Sequence, residues 1–164
     1  MDAIQALKTR RSVRSYTDDP VKPEHLGIIL DCARLAPTGI NRQDWRFIAI
    51  TDAGLKKRVV ACAPSGGFID QAAVAIVVCA GENAVTPIED GSAATVNILT
   101  AAHALGYGTC WVGARGNDTA RLLSELLKIP KGYEVITLIA LGVPKETGNP
   151  DKKSFGDVVS YNGF

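Results

Sequence analysis

The eight residues Val135 to Gly142 (VITLIALG) contain one polar side chain and no charge. An extended backbone sends successive side chains to opposite faces, so a run that is apolar at both parities is a strand buried on both sides. Such a strand must sit inside a sheet with cover above and below it. Val74 to Cys79 reads as a second strand of the same kind, and Arg46 to Thr51 (RFIAIT) and Thr109 to Val112 (TCWV) as two more. Helices are expected at Asp2 to Thr9, Pro23 to Leu35, Asp52 to Cys62, Glu89 to Leu105 and Asp118 to Leu127. Pro23 suits a first helical turn and Asn117 or Asp118 a cap, while Gly106 suits a helix end. Thr17 to Pro23, Ala36 to Asn41, Ala63 to Gly67 and Glu82 to Pro87 read as turns and loops. The expected architecture is α+β or α/β, with about four strands flanked by helices.

The chain has 164 residues, a length suited to one domain. With 46% hydrophobic residues it can build a full core. A net charge of +1 gives no electrostatic case for nucleic acid or an acidic membrane surface. The longest apolar run, Ala72 to Ala80, is too short to cross a bilayer, and the N-terminus lacks a secretory apolar region. The four cysteines, Cys32, Cys62, Cys79 and Cys110, are scattered, which predicts free thiols in a reduced cytoplasmic setting and no metal site. The Glu89–Leu105 helix is apolar or small on most faces, a pattern of buried helices. In so small a chain it implies burial against a second subunit.

Polar groups gather at the breaks between elements. Thr9 to Tyr16 (TRRSVRSY) brings Arg10, Arg11 and Arg14 together with two serines, and Arg10, Ser12 and Arg14 share one face if the segment is extended. Two fixed cations and a hydroxyl on one face suit a phosphate or another electron-rich group. Asn41 to Trp45 places an amide pair, Asn41 and Gln43, just before a strand. Gly108 to Ala114 is a strand ending in small residues, which let a ligand approach the backbone. Lys152 and Lys153 lie near the C-terminus. Against these stand several exclusions. The two histidines, His25 and His103, form no triad with a serine; His103 is expected to be packed or interfacial and His25 exposed. Asp18-Asp19 and Glu89-Asp90 read as turn and helix-N-terminal carboxylates rather than an acid–base pair. Neither a dinucleotide fingerprint nor a phosphate-binding lysine loop occurs.

Taken together, Arg10 to Arg14, Ala36 to Phe47, Glu89 to Leu99, Gly106 to Gly113 and Leu141 to Pro144 resemble, in this order, the nitroreductase family of flavin enzymes. The resemblance covers essentially the whole chain. It implies an α+β three-layer sandwich with a mostly antiparallel central sheet of four to five strands. It also implies a homodimer with an FMN site at each subunit interface, and NAD(P)H as a transient co-substrate. The reaction implied is reduction of nitroaromatics, quinones or similar small-molecule acceptors through flavin N5, in a ping-pong cycle. No catalytic side chain is implied, since the flavin carries the chemistry.

By the same resemblance, Arg10 and Ser12, with Arg11 nearby, would contact the FMN phosphate or ribityl chain, and Arg14 the pyrimidine edge. Lys152 or Lys153 stands where the family has a phosphate-gripping arginine, a change that loses the bidentate fork. Asn41 and Gln43 match residues that reach the flavin from the partner subunit, and Gly113 with Ala114 the backbone facing N5. The stretch from Cys62 to Glu89 is short for a family member, so an open or small pocket is expected, with Phe68, Tyr107 and Trp111 as lining candidates. For Trp111 a core position comes ahead of stacking on a ligand. Other readings are a specialised relative (a dehalogenase, flavin-modifying or azoline-oxidising enzyme), a flavin-binding redox module without turnover, and an unrelated anion-binding protein.

Overall fold

A computed structural model describes residues 1–148 and 150–164. The helices are α1 (Ala3–Thr9), α2 (Pro23–Arg34), α3 (Ala53–Cys62), α4 (Pro87–Ala104) and α5 (Asp118–Leu127). The strands are β1 (Trp45–Ile50), β2 (Val74–Gly81), β3 (Gly108–Gly113) and β4 (Tyr133–Gly142). They form one sheet in the order β1-β2-β4-β3, antiparallel at every pairing. The two strands with continuous apolar runs, β2 and β4, are the inner pair, as burial on both faces requires.

The period of two then sorts side chains into two cores. Val74, Ile76 and Val78 of β2 join Ile139 and Leu141 of β4 on the α2–α4 side, with Ile29, Ala33, Ile98 and Ala102. Ala75, Val77 and Cys79 join Leu138 and Ala140 on the other side, under Val59 of α3 and Leu123 of α5. Three layers result. The register slips between Val78 and Cys79, which face Thr137 and Val135, so Ile136 is an extra residue bulged from β4. Gly91 of α4 makes room for it: a Cβ there would lie 2.8 Å from Ile136. Beside the bulge, Thr95 Oγ1 donates to Gly91 O at 2.8 Å, which leaves the Thr137 hydroxyl to donate to Thr95 at 2.7 Å.

Some boundaries differ from expectation. The helix expected from Glu89 starts two residues earlier, because Pro87 lacks the N–H that a first turn leaves unpaired anyway. The Ala36–Asn41 loop contains a 3-10 turn at Gly39–Asn41, and a 3-10 turn over Pro64–Asp70 starts in the Ala63–Gly67 loop and runs past it. Asp52 caps α3 rather than belonging to it, accepting from Leu55 N. The four cysteines are free, as expected. No helix among the described residues is long and apolar enough to cross a membrane.

Candidate functional site

The sheet ends at β3, so one side of that strand has no full-length neighbour. The segment after α1 covers only its first residues: Ser12 bridges Thr109 in parallel, and Val13 N donates to Thr109 O at 2.9 Å. That bond shows that the backbone groups of Thr109 point to the free edge. By the strand's alternation, those of Trp111 and Gly113 point there too. Beyond Thr109 the edge opens into a groove lined by Arg14, Ser65, Phe68, Cys110, Trp111 and Gly113. Gly113 therefore offers a backbone N–H to this groove with no side chain in front of it.

Four contacts hold the basic segment in place. Gly108 leaves space for Val13, since a Cβ on it would lie 2.8 Å from the valine side chain. The buried Tyr16 hydroxyl donates to Val13 O, and burial raises its pKa far above the ordinary value, so it remains a donor. Glu146 accepts from Arg14 N at 2.7 Å, while Lys145 N donates to Ser15 O at 2.9 Å. The chain after β4 thus runs beside the arginine segment. Gly148 packs so closely that a Cβ would sit 2.5 Å from Ser12 O.

Cations outnumber anions here, Glu146 being the carboxylate beside the segment. Arg10 and Arg11 are half-buried and Arg14 is exposed. Among the described residues none of the three makes an ion pair with a carboxylate. The Nε of Arg11 is buried without a hydrogen-bond partner among those residues, although its terminal nitrogen donates to Lys8 O and Arg10 O. Burial raises the Cys110 thiol, against the opposing pull of Arg14, a hydrogen bond from Ser12, and Arg10. It therefore stays protonated and supplies no nucleophile.

His103 of α4 also faces this cluster. Thr9 Oγ1 donates its one proton to Gln5 O, so His103 Nε2 carries a proton and donates to Thr9 at 2.8 Å. Burial, then Arg10 and Arg11, lower its pKa. The unfolded chain accordingly takes the proton first as pH falls. Stability from this group is complete above the ordinary imidazole value of 6.5 and is lost as pH falls toward the lower folded value. Thermal melts between pH 5 and 8 should show a shallower acid decline for His103→Gln than for the native chain; equal declines would show that His103 is not the titrating group.

Arg10, Ser12, Arg14 and Gly113 are thus assembled along one edge, while Arg11 lines a separate cavity with Thr9, His103 and Gly148. Ala114 lies just past the strand end with its side chain buried in the α3–α5 core. Phe68 and Trp111 line the groove together, but Trp111 corrects the expectation of a core position: it is 37% exposed, because β3 is an edge strand. Tyr107 packs in the α2–α4 core and lines a second cavity, with Arg11, His103 and Glu146, rather than the groove of Phe68 and Trp111. Its hydroxyl meets His25 Nδ1 at 2.9 Å, so His25 is half-buried rather than exposed. Lys152 and Lys153 are exposed on the tail that leaves Gly148. Ser65, on the groove wall, escaped the sequence reading; its only signal was a hydroxyl in a Pro-Ser-Gly-Gly turn.

Asn41 and Gln43 stand elsewhere. They precede β1, at the opposite edge of the sheet from β3. Three strand spacings, about 14 Å, separate those edges. Within one chain the amide pair does not reach the groove of Arg14 and Gly113.

The arrangement is a three-layer antiparallel sandwich with a groove beside Arg14 along an edge strand. The family model described as Nitroreductase family matches residues 7–63 and 58–143, and the chain belongs to that family. A relative from Archaeoglobus fulgidus, whose name includes NAD(P)H nitroreductase, is 37% identical over 151 residues, covering 88% of this chain and 87% of its own. The FMN-dependent nitroreductase of Clostridium difficile R20291 superposes with a TM-score of 0.89 at 33% identity, covering 98% of this chain and 99% of its own. A Desulfovibrio desulfuricans protein crystallised in complex with FMN superposes with a TM-score of 0.89 at 31% identity, covering 100% and 98%.

Proposed function

We propose that this chain, as a single domain over residues 1–164, is an FMN-dependent NAD(P)H oxidoreductase that reduces nitroaromatics, quinones or related acceptors. The observation that carries the reading is the set of three arginines without a carboxylate ion pair among the described residues, beside a free strand edge. A phosphate monoester brings about two negative charges at neutral pH, which cations and the Ser12 hydroxyl would balance. The Arg14 cation and the uncovered Gly113 N–H, which line the same groove, fit a ring with electron-rich and acceptor atoms. When bound, the flavin supplies hydride acceptance from the nicotinamide and donation to the acceptor.

The residues have separable tasks. Arg10 and Ser12, with Lys152 or Lys153 from the tail, hold the phosphate end. Arg14 places a fixed positive charge at the pyrimidine edge, favouring the electron-rich form of the ring. Gly113 orients the ring through its backbone N–H. Phe68 and Trp111 flank the groove and would exclude water from part of it.

The same reading requires a homodimer, because Asn41 and Gln43 lie at the far edge of their own sheet and reach a groove only in a second copy. Apolar side chains exposed on the helices fit this: Ile4 and Leu7 of α1, Ile28 of α2, and Ile88 and Val96 of α4.

The test is a visible spectrum of the FMN-loaded protein at its measured molar mass, followed by anaerobic titration with NADH and NADPH. Flavin bands on a dimer that bleach with either nucleotide, and return on adding a quinone, are the expected result. A monomer that holds FMN would overturn the dimer, and a protein that takes up no FMN would overturn the whole reading.

A further inference from the structure

The turn carrying Asn41 and Gln43 has an unusual backbone. Ile40, Asn41 and Gln43 have φ of 47°, 57° and 55°. Asparagine tolerates this left-handed region, but a β-branched isoleucine is strained in it. Ile40 is also 81% exposed, so its own packing offers no compensation. Such strain persists only where the surroundings over-determine the conformation, and it concentrates at functional sites.

The surroundings here converge on one carboxylate. Asp90, in the first turn of α4, is 5% exposed and has no ion-pair partner among the described residues. Its Oδ1 accepts from Gly39 N at 2.9 Å and from Thr86 Oγ1 at 2.8 Å. Gly39 has to be glycine, because Thr86 Oγ1 occupies the place of a Cβ. The clamp thus pins the first residue of the turn to the start of the long helix. Further along, Thr38 Oγ1 accepts from Gln43 N at 3.1 Å, and Asp44 O accepts from Gly81 N at 2.8 Å. Between these anchors the two amides face each other, Gln43 Nε2 lying 3.2 Å from Asn41 Oδ1. A buried carboxylate is costly unless its hydrogen bonds are made, and a first-turn aspartate placed only for the helix dipole is better left in water.

We propose that Asp90 is a positioning residue for the flavin site: through Gly39 and Thr86 it holds the strained turn that presents Asn41 and Gln43 to the partner subunit's flavin. This rests on the oxidoreductase reading above. It assigns the amide pair's geometry to a residue that touches no flavin and lies outside the motifs of the binding segment.

The test is a mutant cycle read as FMN affinity, with the melting temperature of the FMN-free protein alongside. Asp90→Ala should weaken FMN binding about tenfold, as expected for losing a charge-assisted anchor. Asp90→Asn keeps an oxygen able to accept both bonds and should restore most of the affinity. In a background of Asn41→Ala with Gln43→Ala, Asp90→Ala should cost little further affinity, because the groups it positions are gone. A loss of equal size in both backgrounds would overturn the proposal, as would native affinity in Asp90→Ala. Should Asp90→Ala fail to fold, Thr86→Val, which removes one of the two donors, is read in the same cycle with the same two outcomes. Failure of the native chain to bind FMN appears before any variant is made and overturns the functional reading itself.

Discussion

Arg14→Ala is expected to weaken FMN binding by about ten- to a hundredfold, the range of one or two charged hydrogen bonds. It should also lower the potential of the bound flavin, because a fixed cation beside the ring favours the reduced form. The fold should be unaffected. Arg14 is exposed and makes no ion pair among the described residues, and its bond to Glu146 runs through the backbone N–H, which alanine retains. Equilibrium dialysis and a dye-coupled potential measurement read the two effects separately. Native affinity together with native potential would remove Arg14 from the site. Arg14→Lys should recover part of the potential, since the charge remains while the planar fork is lost.

Gly108→Val should produce the largest combined loss of stability and binding. The Val13 side chain occupies the space a Cβ would need, with its Cβ and Cγ1 at 2.8 Å and Cγ2 at 3.0 Å. Overpacking of this kind costs about 1–3 kcal/mol. Here the cheapest relief is to push the Ser12–Val13 segment off β3, which breaks the Val13–Thr109 bond and displaces Arg10, Ser12 and Arg14 together. Urea unfolding should show the stability loss, and FMN titration a deeper fall in affinity than Arg14→Ala gives. A destabilised variant that still binds FMN normally would mean that the arginines need no docking on the strand.

The sequence disclosed most of the fold because its strongest signals were the burial patterns of single elements. The apolar run from Val135 to Gly142 required an inner strand, and that is where β4 lies. The helical pattern ending at Gly106 required a left-handed stop, which the φ of 88° provides. Edge status is a different kind of information. Trp111 sits in a run, TCWV, that reads like core, and only the position of β3 at the end of the sheet exposes it. Nor does the sequence show that Tyr107, close to Trp111 along the chain, packs in the α2–α4 layer and lines a different cavity, beside Arg11.

The candidate site was legible where chemistry is concentrated in sequence, as in Arg10 to Arg14. It was not legible where the contribution is a long-range contact. Asp90 looked like any first-turn carboxylate, and nothing around it in the sequence indicates that Gly39 donates to it across fifty-one positions. Ser65 is silent for the same reason, becoming visible only when the Pro64–Asp70 turn meets β3.

The half-covered edge of β3 also bears on how the protein behaves when stripped of its ligand. A strand edge with free N–H and C=O groups is a template onto which another strand can add. In this chain the Ser12–Val13 segment blocks the first residues and Gly113 ends the strand, so the exposed template is only a few residues long. Arg14, exposed beside it, adds positive charge that repels a second copy of the same edge. The opening is thus short enough, and charged enough, to remain available to a small anionic ligand without recruiting strands from its neighbours in solution.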